Sequence, residues 1–132
     1  VYLSEDKLTD QITVNMRVDG QEMWYPIVSW GAHWYESNNQ WEVLCEDMDE
    51  IEFHIESLIQ GNVRTEKISL AQLPKRSEYS VRLQLETLFL DNKTCRISVR
   101  DAGFGDFFPA TDFHAEKTIH LGGNDGKFNS LS

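Results

Sequence analysis

The chain has 132 residues, with 40% hydrophobic residues, 12 Lys plus Arg against 22 Asp plus Glu, and a formal net charge of −10. That length suits one compact domain burying about two-thirds of its unfolded surface, and the charge opposes phosphate backbones and anionic headgroups, so neither nucleic acid nor a membrane surface is an expected partner. No apolar run approaches the roughly 18 residues of a membrane span, and no signal sequence opens the chain, so a cytoplasmic location is expected.

The dominant period is two. Ile12, Val14, Met16 and Val18 alternate with polar residues, the pattern of a strand with one buried face, and Asp19-Gly20 is a hairpin turn signal. A second strand runs through Met23, Trp24, Tyr25, Ile27 and Val28, where Pro26 predicts an edge or a bulge because proline cannot donate to a ladder. Residues 31–40 are turn-rich, and Trp41, Val43 and Cys45 predict a third short strand. After the acidic run Glu46-Asp47-Met48-Asp49-Glu50, Ile51, Phe53 and Ile55 alternate with Glu52, His54 and Glu56.

Gln60-Gly61-Asn62 is a turn, 63–70 a strand closed by Leu73-Pro74, and Val81, Leu83 and Leu85 open another. Asp91-Asn92 turns the chain, and Cys95, Ile97 and Val99 alternate with Arg96, Ser98 and Arg100. The whole predicts an all-β, antiparallel β-sandwich of about seven to eight strands over residues 1–112. From Phe113 the alternation fades and Gly122-Gly123-Asn124-Asp125-Gly126 follows, so 113–132 is expected to be a flexible C-terminal tail. A start at Val1 reads as a segment of a longer protein with an upstream domain.

The signatures of catalysis are missing. There is no GxSxG, HExxH or GxxxxGK[ST] motif, and Gly103-Phe104-Gly105 lacks the third glycine of a dinucleotide loop, so no enzyme is expected and no cofactor is called for. Asp47 and Asp49 resemble the opening of a calcium loop, but the glycine of its sharp turn is absent. His33, His54, His114 and His120 share no ligand spacing, and Cys45 and Cys95 form no CxxC, so no metal site is expected and the thiols are expected to be free.

Six aromatic residues stand out: Trp24, Tyr25, Trp30, Trp34, Tyr35 and Trp41. Trp24 and Tyr25 are adjacent in a strand and so face opposite sides, which means that one core cannot hold them both. Such side chains anchor peptides or stack on sugars, and a carbohydrate-binding sandwich using Trp24, Trp34 and Trp41 is the alternative reading.

From Ile68 onward the residues form a recognisable order. Ile68-Ser69-Leu70-Ala71-Gln72-Leu73-Pro74-Lys75-Arg76, then Val81, Leu83 and Leu85, then Leu90-Asp91-Asn92, then Ile97-Ser98-Val99-Arg100-Asp101-Ala102-Gly103-Phe104-Gly105 resembles the end of the β-sandwich substrate-binding domain of the 70-kDa heat-shock chaperones. Ile51-Glu52-Phe53-His54-Ile55 followed by Gln60-Gly61-Asn62 sits where that family has a groove-lining strand and its turn, and Gly105-Asp106-Phe107-Phe108-Pro109 looks like a bacterial group of such chaperone-like proteins. The resemblance spans about residues 10 to 105.

It implies a non-enzymatic module that binds an extended or unfolded polypeptide, or docks a protein partner through the same edge. Ile51 would floor its pocket, Met16, Val18, Trp41 and Phe53 would wall it, and Leu44 would be half of the arch above the peptide. Asp19 stands where the family carries the apolar other half, and no amphipathic lid pattern follows Phe108. No nucleotide chemistry is implied for this chain.

Overall fold

A computed structural model describes residues 7–18, 20–45, 49–73, 81–103 and 109–121. Eight strands fill those residues: β1 (Asp10–Val18), β2 (Gln21–Val28), β3 (Asn39–Cys45), β4 (Glu50–Ser57), β5 (Val63–Ser69), β6 (Val81–Asp91), β7 (Thr94–Asp101) and β8 (His114–His120). They form two antiparallel sheets of four strands, ordered β2-β1-β4-β5 and β3-β6-β7-β8. The expected β-sandwich is the observed fold.

Alternation along each strand explains why the sheets stack. In β4, Ile51, Phe53 and Ile55 are buried while Glu50, Glu52, His54 and Glu56 are not, and in β7 the same holds for Cys95, Ile97 and Val99. Side chains on one face of each sheet therefore meet across the interior, with Ile12, Met16, Phe53, Leu83, Leu85 and Ile97 among the fully enclosed ones. Each such side chain contributes roughly 1.5–3 kcal/mol relative to exposure.

The β1–β2 hairpin pairs Val18 with Gln21, Met16 with Met23 and Val14 with Tyr25. Gly20 completes its turn at φ +78°, a left-handed value that glycine adopts without strain. The register shifts where Ile12 opposes Val28 and Thr13 opposes Pro26, leaving Ile27 as the extra residue of a bulge. Pro26 thus lies beside a bulge on an edge strand, and both alternatives the sequence offered for it hold.

The chain does not loosen at Phe113. His114–His120 is β8, paired with β7 along its whole length, and it buries Ile119. The expectation of a flexible segment from 113 is corrected for these residues; Lys117 occupies an inward position, so the apolar alternation that marks a strand is broken there. Residues 122–132 lie outside the described residues.

Candidate functional site

The two sides of the sandwich differ. On one side the edge strands β5 and β8 meet, and their inward faces carry charges: Arg64 and Glu66 on β5, Lys117 on β8. Glu66 takes Arg64 at 3.1 Å and Lys117 at 3.3 Å. Arg64 also donates to the His120 carbonyl, and Lys117 Nζ reaches the Lys67 carbonyl at 3.4 Å. Side chains of each edge so bond the backbone of the other, and the seam is closed.

On the opposite side the edges are β2 and β3, and between them runs an open groove of about 660 Å³. Val14 and Met16 form its floor, Tyr25 and Pro26 one wall, Trp41 and Val43 the other. The register accounts for this lining. Tyr25 opposes the inward Val14 of β1, and Trp41 and Val43 oppose the inward Leu85 and Leu83 of β6, so these three side chains point toward the interior at its open margin. Tyr25 keeps 38% of its surface exposed, and its hydroxyl donates to Met23 Sδ at 3.4 Å.

A polar rim borders the groove on the outer face of β3. Gln40 donates to Glu86 at 3.1 Å and accepts from Gln84 at 3.1 Å, and Arg100 donates to Gln84. Among the described residues Glu42 has a long ion pair to Arg82, at 3.8 Å, and its side chain is 59% exposed. A carboxylate held so loosely is available to an incoming cation.

Of the residues expected to form a peptide pocket, Met16 and Trp41 line this groove. Ile51 and Phe53 do not: both are wholly enclosed, Ile51 opposite Ile68 of β5 and Phe53 opposite Val14 of β1. They belong to the central core because β4 is an interior strand of its sheet. The backbone of Val18 closes the β1–β2 hairpin and that of Leu44 pairs with Arg82, and their side chains lie outside the described residues, as do Asp19 and Asp47. Tyr25, Pro26 and Val43 join the site although sequence reasoning gave them no pocket role; counting forward by twos from the Asp19-Gly20 turn would have put Tyr25 inward.

The three tryptophans of the carbohydrate alternative share no surface. Trp41 faces the groove, Trp24 lies on the outer face of the β2-β1-β4-β5 sheet, and Trp34 sits in a short 3-10 turn, Trp34–Glu36, packed on the core. Among the described residues no three His, Cys, Asp or Glu side chains cluster as metal ligands would. Nor, among the described residues, is any helix long and apolar enough to cross a membrane.

The model of one protein family, described as a domain of unknown function (DUF8552), matches residues 7–121. That span runs from Lys7, which bridges to His33, to Leu121 just after β8. Neither the curated proteins nor the solved structures contain a significant match. The chain belongs to the DUF8552 domain family.

Proposed function

We propose that this domain is a non-enzymatic binding module that holds an extended segment of polypeptide in the groove between β2 and β3. The observation that carries the reading is the contrast between the two seams: charges and backbone bonds stitch β5 to β8, while β2 and β3 stand apart over an apolar floor. Two strand edges that have no strand partner among the described residues, flanking an apolar groove, suit a ligand that offers backbone groups and alternate side chains together. The resemblance of residues 68–105 to the substrate-binding domain of 70-kDa heat-shock chaperones supports the same ligand class by analogy. Net charge of −10 favours basic residues flanking the apolar ones, an attraction that fades as salt shortens the screening length.

An open groove exchanges its ligand quickly, and affinity near micromolar, about −8 kcal/mol, is the expected scale. The test is a titration of intrinsic tryptophan fluorescence with apolar, lysine-flanked peptides, repeated on Tyr25→Ala. Tyr25 is exposed enough for that variant to fold, whereas Ile51→Asp would bury a charge and unfold the core. Saturable binding by the natural sequence, weakened about tenfold in Tyr25→Ala, is expected. No response to any peptide, or a response to soluble oligosaccharides alone, would overturn the reading.

A further inference from the structure

The register of the two sheets goes further, because it says which backbone groups each open edge presents. We infer that the bound segment adds as a fifth strand to β3, and that β2 contributes side chains but not backbone pairing. The inference rests on the proposed peptide groove and specifies its ligand as a strand, apolar on its groove-facing side and basic where it passes Glu42.

In an antiparallel ladder, successive residues turn their N–H and C=O alternately toward one neighbour and toward the other. A two-residue hairpin loop makes its closing pair, here Val18 and Gln21, a hydrogen-bonded one. Counting by twos, Gln21, Met23 and Tyr25 turn their backbone groups toward β1, and Glu22, Trp24 and Pro26 turn theirs outward. The outward row of β2 therefore lacks a donor at Pro26, beside the bulge at Ile27. A strand laid along this edge would lose one bond and then meet a break in register.

Parity on β3 follows from two bonds. The Asn39 N–H points at β6, donating to Thr87 Oγ1 at 3.2 Å. On β6 the carbonyl of Arg82 points the other way, accepting from Ala102 N–H at 2.9 Å, next to β7. Asn39, Trp41 and Val43 thus bond inward across the sheet to β6, and Gln40, Glu42 and Leu44 present N–H and C=O to the free edge. This row contains no proline and no bulge. The remaining edges, β5 and β8, turn charges inward and bridge each other, so among the described residues β3 alone offers an unbroken, unobstructed ladder.

The occupant is set by charge and by alternation. Residues of an added strand point alternately into the groove, against Tyr25 and Trp41, and out over the rim, beside Gln40 and the loosely paired Glu42. The first set meets apolar surface and the second a carboxylate held only by the long Arg82 ion pair. A second copy of this chain carries the same net charge of −10 and is disfavoured at that rim. The partner is therefore a cationic extended segment from another polypeptide.

The experiment uses one heptapeptide of alternating valine and lysine, and two versions N-methylated at one or the other alternate set of residues. With the unmodified peptide bound, strand addition predicts that one methylated set weakens binding by about tenfold while the other stays within about twofold. Choice of edge is read from Glu42→Pro and Glu22→Pro, each removing one outward donor and no ladder bond. Loss in Glu42→Pro with binding kept in Glu22→Pro supports β3, and Glu42→Lys, which leaves the backbone intact, should weaken the lysine peptide by about tenfold even if the proline variant does not fold. Equal tolerance of both methylated sets, or loss confined to Glu22→Pro, overturns the inference while leaving the groove itself standing; absence of binding by the unmodified peptide overturns the groove.

Discussion

The indole of Trp24 on β2 lies flat on the imidazole of His54 on β4, ring centroids 3.9 Å apart and planes 26° from parallel, although β1 runs between their strands. The stack spans the outer face of the sheet beside Thr13 and Asn15, residues short enough to lie beneath it. Glu52 Oε2 holds the ring from the other end at 3.3 Å. Replacing His54 by Ala should cost about 1 kcal/mol in urea unfolding and move the Trp24 emission to the red, measured as the difference from a Trp24→Phe reference. Unchanged emission would mean that the two rings do not stack in solution.

Gly103 turns the chain after β7 at φ +77°, and a Cβ there would stand 2.5 Å from the Ala110 nitrogen. The loop is fixed at that distance by Asp101, which accepts from Gly103 N–H at 2.9 Å and from the Thr111 hydroxyl at 2.7 Å, while Arg82 Nε donates to the Gly103 carbonyl at 2.8 Å. Gly103→Ala therefore combines left-handed strain with a backbone clash and should cost about 3 kcal/mol or more. Gly61→Ala, at φ +71° with open space around it, carries the strain alone and should cost about 1 kcal/mol. Equal losses in chemical denaturation would refute the clash.

Glu66 lies between two cations, so Glu66→Ala leaves Arg64 and Lys117 facing one another. All three side chains are partly solvated, and the expected loss is about 1 kcal/mol at low ionic strength, shrinking as salt is added. A loss independent of salt would show that packing rather than charge closes the seam.

The turn between β6 and β7 supplies a pH dependence. Asp91 accepts from the Lys93 N–H at 2.8 Å, and that backbone bond, helped by Thr94, holds its carboxyl below the ordinary carboxylate range. A carboxyl depressed by folding stabilises the native state above its unfolded value, and the contribution is lost as pH falls through the folded one. The stability difference between the natural sequence and Asp91→Asn should hence be present at neutral pH and vanish in strong acid. A constant difference across the acid range would assign the effect to something other than ionisation.

Cys95 is free and fully enclosed in the core, and burial pushes its thiol up to about 12. With Cys45 replaced by Ser, iodoacetamide at pH 8 should leave the folded protein unmodified and react only once denaturant is added. Modification of the folded protein would place the Cys95 region among its readily opened parts.

What the sequence made legible was the alternation. Ile12 to Val18, Ile51 to Ile55 and Cys95 to Val99 carry a two-residue period because β1, β4 and β7 are interior strands with one apolar face, and the β-sandwich follows from them. The edge strands were less legible for a physical reason. β8 has Lys117 where an apolar residue would advertise burial, since its task there is to bond across the seam. Likewise Ile51 and Phe53 carry the same pattern whether they line a pocket or a sealed core. Which of these holds depends on whether β4 lies inside or at the edge of its sheet, a matter of strand order that local alternation does not encode.

The ionic stitch between β5 and β8 also sets where the molecule breathes. Two sheets fastened along one margin and parted along the other are expected to open like the covers of a book, with Arg64, Glu66 and Lys117 at the spine and β2 and β3 at the fore-edge. Opening then widens the gap between Tyr25 and Trp41 while the layers around Phe53 and Ile97 stay shut, so amide exchange should be fastest along β2 and β3 and slowest in β1, β6 and β7. For the extended segment proposed above, a gap that widens from a fixed spine would admit side chains of different bulk at little cost to the core.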